Sequence, residues 1–107
     1  MPRSVVVLVT CPNRRIGARL AQSVIEHRLA ACVNLVPGIE SVFRWQGKLE
    51  RAREVLLIVK TTQGRLAALQ RHLVSQHPYD VPEVIALSIV AGNPPYLAWI
   101  AQSVRPN

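Results

Sequence analysis

Hydrophobic residues recur along this chain with two spacings, and the changes between them mark its elements. Val5 to Val9 is an unbroken apolar run without a charge, which predicts a buried strand over 4–10. Pro12-Asn13 then turns the chain. Asn13 is placed to cap a helix reaching to about residue 28, with Ile16, Leu20, Val24 and Ile25 on one face. Residues 31–36 read as a second strand, interrupted by Pro37-Gly38 and resumed over 39–45. Gln46-Gly47-Lys48 is a turn, and 49–61 returns as a third strand. A second helix over 64–76 turns Leu66, Leu69, Leu73 and Val74 inward, and 84–90 forms a fourth strand. Asn93 then caps a last helix, with Pro94 at its first position, where a missing N–H costs nothing.

The order βαββαβ, with two crossovers joined by a hairpin, predicts an α+β fold. It is a ferredoxin-like βαββαβ sandwich with an additional C-terminal helix, forming one domain over 1–107. The hairpin fits a monomer poorly. A third strand of about thirteen residues extends roughly 43 Å at ~3.3 Å per residue, whereas a domain of this size has a radius of gyration near ~13 Å. The Phe43–Trp45 and Leu49–Arg53 end should therefore project, and a lone two-stranded ribbon carrying Phe43 and Trp45 invites pairing with another chain. The alternative is a twisted hairpin folded back on its own sheet.

Composition narrows the classes. Half of the 107 residues are hydrophobic, more than a disordered segment could carry in solution. The longest apolar runs, 5–9 and 55–59, fall far short of the ~20 residues that span a bilayer. A single Arg precedes the first run and no small-residue cleavage site follows it, so no signal peptide is read. A cytoplasmic protein with no membrane partner is expected. The net charge of +7 comes mainly from eleven arginines, spread as singles and pairs along the whole chain, which suits a solvated surface better than a nucleic-acid footprint. An RNA-binding sheet of this topology also needs stacking aromatics on its central strands, and 5–9 and 55–59 have none. No nucleic-acid partner is expected. Cys11 and Cys32 lack zinc-site spacing, and Cys32 reads as a small core residue.

Chemistry concentrates in two places. His77-Pro78-Tyr79-Asp80-Val81-Pro82-Glu83 confines an imidazole, a phenol and two carboxylates between prolines. His77, Asp80 and Glu83 carry donor types that Cu and Zn accept. The same segment also reads as a plain helix-to-strand corner, in which Tyr79 packs and its hydroxyl finds a partner. The second place is the turn with Asn13, Arg14 and Arg15 at a helix N-terminus, where a bound anion would balance two arginines that oppose the helix dipole. His27 and His72 fall on polar helix faces and need no role. No nucleophile–base constellation, glycine-rich phosphate loop or H-E-x-x-H is present, so no enzyme is expected.

Several short motifs stand in one order: Leu29-Ala30-Ala31-Cys32-Val33-Asn34, Trp45-Gln46-Gly47-Lys48, Lys60-Thr61-Thr62, His77-Pro78-Tyr79 leading to Pro82-Glu83, and Tyr96-Leu97 with Trp99. Together they resemble the CutA divalent-cation tolerance proteins over about 4–103. The resemblance implies a ferredoxin-like protomer, similar to PII signalling proteins, in a tight homotrimer built by long strands. Phe43, Trp45, Leu49, Tyr79 and Trp99 are the expected interface residues. It also implies tolerance of divalent metal ions, copper above all, through binding, with a metal such as Cu or Zn as ligand and none required for folding. In copper-binding members the ligands include a Cys late in the first strand, a His beside the His-Pro-Tyr motif and the Glu after its second Pro. Here Val9 and Gln76 stand at the first two positions. Glu83 matches, while Cys11 and His77 are displaced neighbours. Two other readings stay open: a PII-like sensor holding a small anionic ligand between protomers, and a structural trimeric adaptor.

Overall fold

The computed structural model describes residues 3–106; residues 1, 2 and 107 of the expected domain lie outside the described residues. Eight strand residues, Ser4–Cys11, form β1, and Arg14–Glu26 form α1. A long hairpin follows, β2 at Cys32–Trp45 and β3 at Lys48–Thr62. A 3-10 turn at Gln63–Arg65 leads into α2 at Leu66–Gln76. β4 is Val84–Ser88 and α3 is Pro94–Ser103. The sheet order is β2-β3-β1-β4, with every adjacent pair antiparallel. Each crossover thus skips one strand, as the ferredoxin-like topology requires. Among the described residues no helix is long and apolar enough to cross a membrane.

One face of the sheet makes the core. The strand period of two places Val5, Val7, Val9 and Cys11 of β1 beside Val55, Leu57 and Val59 of β3. Ile16, Leu20 and Val24 of α1 and Leu69 and Leu73 of α2 cover them. Fully burying each such valine or leucine is worth about 1.5–3 kcal/mol. Gly17 brings α1 close to the sheet: a Cβ there would lie 3.1 Å from Cys11 Sγ. The helix stripes are narrower than expected, because Ile25 and Val74 are exposed. Each sits one residue, or ~100° of rotation, past the buried Val24 and Leu73. α3 packs on β1 and β3 and buries Ile100 outside that cluster.

Several boundaries differ from the expected ones for local reasons. α1 ends at Glu26 because Arg28 turns left-handed at φ 56°; Leu29 N bonds back to Val24 O and Arg28 N to Ile25 O, which closes the helix. Pro37-Gly38 does not split the second strand. It makes a bulge between Val36 and Ile39 inside one continuous β2, with Gly38 at φ 76°. β4 stops at Ser88, since Ile89 N already reaches Ser4 O, where its partner strand begins. Asn93 precedes α3, but its side chain makes no capping bond. Cys32 is half-buried and free rather than a core residue; the Lys60 ammonium lies 3.9 Å from its sulfur and also donates to Asn34 Oδ1.

The hairpin outruns its sheet. β1 pairs with β3 only from Val55 to Thr62, so among the described residues 48–54 has β2 alone as a partner strand. Gln46 and Gly47, both at positive φ, make the tight two-residue turn at its tip. The molecule is accordingly elongated, 44 × 26 × 22 Å. Val42, Phe43, Trp45 and Leu49 on this ribbon are all more than 40% exposed.

At the opposite end of β3, Thr61 Oγ1 donates to the Leu29 carbonyl at 2.7 Å, with Thr61 wholly buried. Thr61→Val keeps the shape and leaves that carbonyl without its donor. A loss of about 1–3 kcal/mol is expected by chemical denaturation at fixed protein concentration.

Candidate functional site

The end of β1 creates the site. Beyond Cys11, paired with Val55, β3 continues with no strand on that side among the described residues. The segment from α2 to β4 passes through this gap, and its side chains fill it. His77 is buried: Tyr79 N donates to its Nδ1 at 3.1 Å, and its Nε2 lies 2.8 Å from the Thr10 carbonyl. A carbonyl only accepts, so Nε2 carries the proton and Nδ1 the lone pair. Both ring nitrogens are thereby engaged within the protein. Pro78 and Pro82 limit the backbone of the same corner.

Tyr79 then reaches the ribbon. Its hydroxyl donates to Glu54 Oε2 at 2.8 Å, and its ring lies 4.6 Å from that of His77, centroid to centroid. Burial, followed by the hydrogen bond and charge of Glu54, pushes the phenol pKa well above its ordinary value. Tyr79 therefore stays a donor across the physiological range. Glu54 itself is only 8% exposed. This contact ties the root of the ribbon to the corner, and sequence reading could not name the partner.

Between corner and ribbon lies a cleft of about 760 Å³. Glu50 and Glu54 from β3 and Asp80 and Glu83 from the corner line it, with Phe43, Trp45 and Tyr79 as apolar walls. Four of the six acidic residues of a chain with net charge +7 thus gather at one surface. Glu50 and Glu54 lie outside the heptapeptide, and no sequence spacing pointed to them. Their signal was register: they alternate with Ala52 on one face of β3.

The structure separates other candidates from this cleft. Cys11 shares a strand face with Val9, but that face is the core, and both residues are 0% exposed. Its sulfur lies 3.5 Å from the Val55 carbonyl, and burial first, then the Glu54 charge, push the thiol pKa up. Thr10, pointing the other way, lines the cleft in its place. Among the described residues of one protomer, no three His, Cys, Asp or Glu side chains converge as metal ligands. Asn13 caps α1, accepting Ile16 N at 2.9 Å, while Arg14 and Arg15 are exposed beside it. Trp99 stacks near Tyr96, with ring centroids 5.5 Å apart, and both remain over 40% exposed.

Tyr79→Phe removes the donor and leaves the Glu54 carboxylate buried without it. The expected cost is about 1.5–3 kcal/mol, as for a hydrogen bond to a charged group, read by urea unfolding. An unchanged midpoint would mean the contact does not hold the corner.

A family model described as CutA1 divalent ion tolerance protein matches residues 5–103. Protein CutA, chloroplastic, of Arabidopsis thaliana is 54% identical over 102 residues, covering 95% of this chain and 56% of that protein. The divalent-cation tolerance protein CutA of Thermus thermophilus is 45% identical over 98 residues, covering 92% and 95%. The chain thus spans just over half the length of its plant and mammalian relatives and nearly all of the bacterial one. The crystal structure of CutA1 from Oryza sativa superposes with a TM-score of 0.95 at 54% identity, covering 99% of this chain and 97% of that one. The Thermus thermophilus protein superposes with a TM-score of 0.93 at 43% identity, covering 95% and 99%. Matched along nearly all of its described length in both sequence and fold, this chain belongs to the CutA1 divalent ion tolerance protein family.

Proposed function

We propose that this protein binds divalent cations in the acidic cleft and that its working form is a homotrimer joined through the β2–β3 ribbon. The observation that carries the first part is the concentration of Glu50, Glu54, Asp80 and Glu83 on a strongly basic chain. Low-dielectric walls from Phe43, Trp45 and Tyr79 strengthen the field of those carboxylates and raise the local cation concentration. Asp80 and Glu83 are the natural inner ligands, since they stand on the rigid corner and Glu54 is spent on Tyr79. Glu83 is also the residue that keeps the copper-ligand position of the resembled members.

The donor set decides the chemistry. The Cys11 thiol is in the core, and both His77 nitrogens are engaged, so at the cleft this protomer offers oxygen. A carboxylate site accepts many divalent ions, and among first-row ions Cu(II) binds most tightly to a given set of donors. The role is one of binding rather than catalysis. An anionic ligand is disfavoured in this cleft, because its charge has the wrong sign.

The trimer rests on the ribbon. A two-stranded hairpin with exposed Val42, Phe43, Trp45 and Leu49 is marginal in water alone. A second apolar group is exposed on and around β4, at Val81, Ile85, Leu87 and Val90. Copies that lay their ribbons over one another's sheets would cover both groups and close each cleft.

Calorimetric titration with Cu(II) and Zn(II) tests the cleft. Asp80→Asn with Glu83→Gln should weaken one binding phase at least tenfold, about 1.4 kcal/mol; a double variant in which no phase is weakened would move the site elsewhere. Trp45→Glu tests the assembly. It puts a charge into the proposed interface, and sedimentation should find 11.9 kDa chains where the parent protein forms trimers.

A further inference from the structure

Two histidines distant in sequence come together on the helical side of the molecule. α1 and α2 pack side by side. His27, at the C-terminal cap of α1, and His72, within α2, have ring centroids 4.7 Å apart and planes inclined at 44°. Ser23 holds both rings. Its carbonyl accepts from His27 Nδ1 at 2.8 Å, and its hydroxyl lies 2.7 Å from His72 Nε2. The carbonyl contact places the His27 proton on Nδ1, which leaves a lone pair on Nε2. A hydroxyl can accept as well as donate, so Nε2–H of His72 can bond to Ser23 and leave Nδ1 with its lone pair. Each ring then presents one nitrogen for coordination, and the other nitrogen is oriented by a protein oxygen, the usual arrangement around a metal-bound imidazole.

We propose that His27 and His72 form a second metal site, a two-imidazole clamp across α1 and α2 for a borderline first-row cation, with water in the remaining positions. With metal–nitrogen distances of about 2.0–2.1 Å, two imidazoles on one ion at tetrahedral or square-planar angles have centroids roughly 4.5–5.2 Å apart. The observed 4.7 Å falls in that range. Imidazole suits Cu(II), Ni(II) and Zn(II), with Cu(II) tightest, and excludes the hard Mg and Ca ions that carboxylates accept. Coordination needs neutral rings. His27 is exposed and His72 half-buried, so an ion can enter from solvent. The clamp shares no residue with the acidic cleft and does not depend on it.

The chain has three histidines, and His77, with both nitrogens engaged, serves as an internal reference. Imidazole 15N spectra of tag-free protein should be followed during titration with Zn(II). The signals of His27 and His72 should move together with one midpoint and one ion per protomer, while His77 does not follow them. His27→Gln should weaken the response of His72 at least tenfold, and His72→Gln that of His27. The cleft variant carrying Asp80→Asn and Glu83→Gln should leave the midpoint of the pair unchanged. Separate midpoints for the two rings, no response of either, or a His72 response unaltered by His27→Gln would overturn the clamp. The parent titration decides the matter even if a substituted chain does not fold.

Discussion

β1 ends opposite Val55, while β3 began seven residues earlier at Lys48, and most of what distinguishes this molecule depends on that mismatch in strand length. Where β1 is present, β3 is a central strand with its apolar face under α1 and α2. Where β1 is absent, β3 has β2 on one side and a gap on the other. The gap admits the corner between α2 and β4, and that corner supplies Tyr79 to Glu54 and His77 to the Thr10 carbonyl. The ribbon is left with exposed aromatic residues, and the space beside it becomes the acidic cleft.

In the proposed function, binding and assembly would meet at one place. Phe43 and Trp45 are walls of the cleft and also part of the surface that another copy would cover. Closing the assembly would remove water from around the carboxylates and increase their pull on a cation. A bound cation would in turn offset the repulsion among Glu50, Asp80 and Glu83. Under the proposed function the two processes would be thermodynamically linked, each favouring the other.

Local order was legible in the sequence wherever a single period governed a segment. The alternation of Val5, Val7 and Val9 and the spacing of Ile16, Leu20 and Val24 both survive in the structure as core positions. Even the projection of the hairpin could be read, because strand length is a matter of counting. What was not legible depended on contacts between distant residues. Nothing near Tyr79 indicates that its hydroxyl partner is Glu54, and nothing near His27 indicates His72. The position of Cys11 was open because strand parity says which residues share a face, not which face is the core. Pro37-Gly38 looked like a break, since its backbone conflicts with regular pairing. The long register on both sides absorbed it as a bulge.

If the proposed assembly holds, the ribbon is stable only when another copy covers it. Amide hydrogen exchange of the native protein, resolved along 39–45 and 48–54, tests this most directly. Slow exchange is expected across the ribbon at concentrations where the assembly is intact, with rapid loss of protection there, but not in Val55–Val59, on dilution into single chains. Protection of the ribbon that is unchanged on dissociation, or that is absent while the assembly is intact, would contradict it.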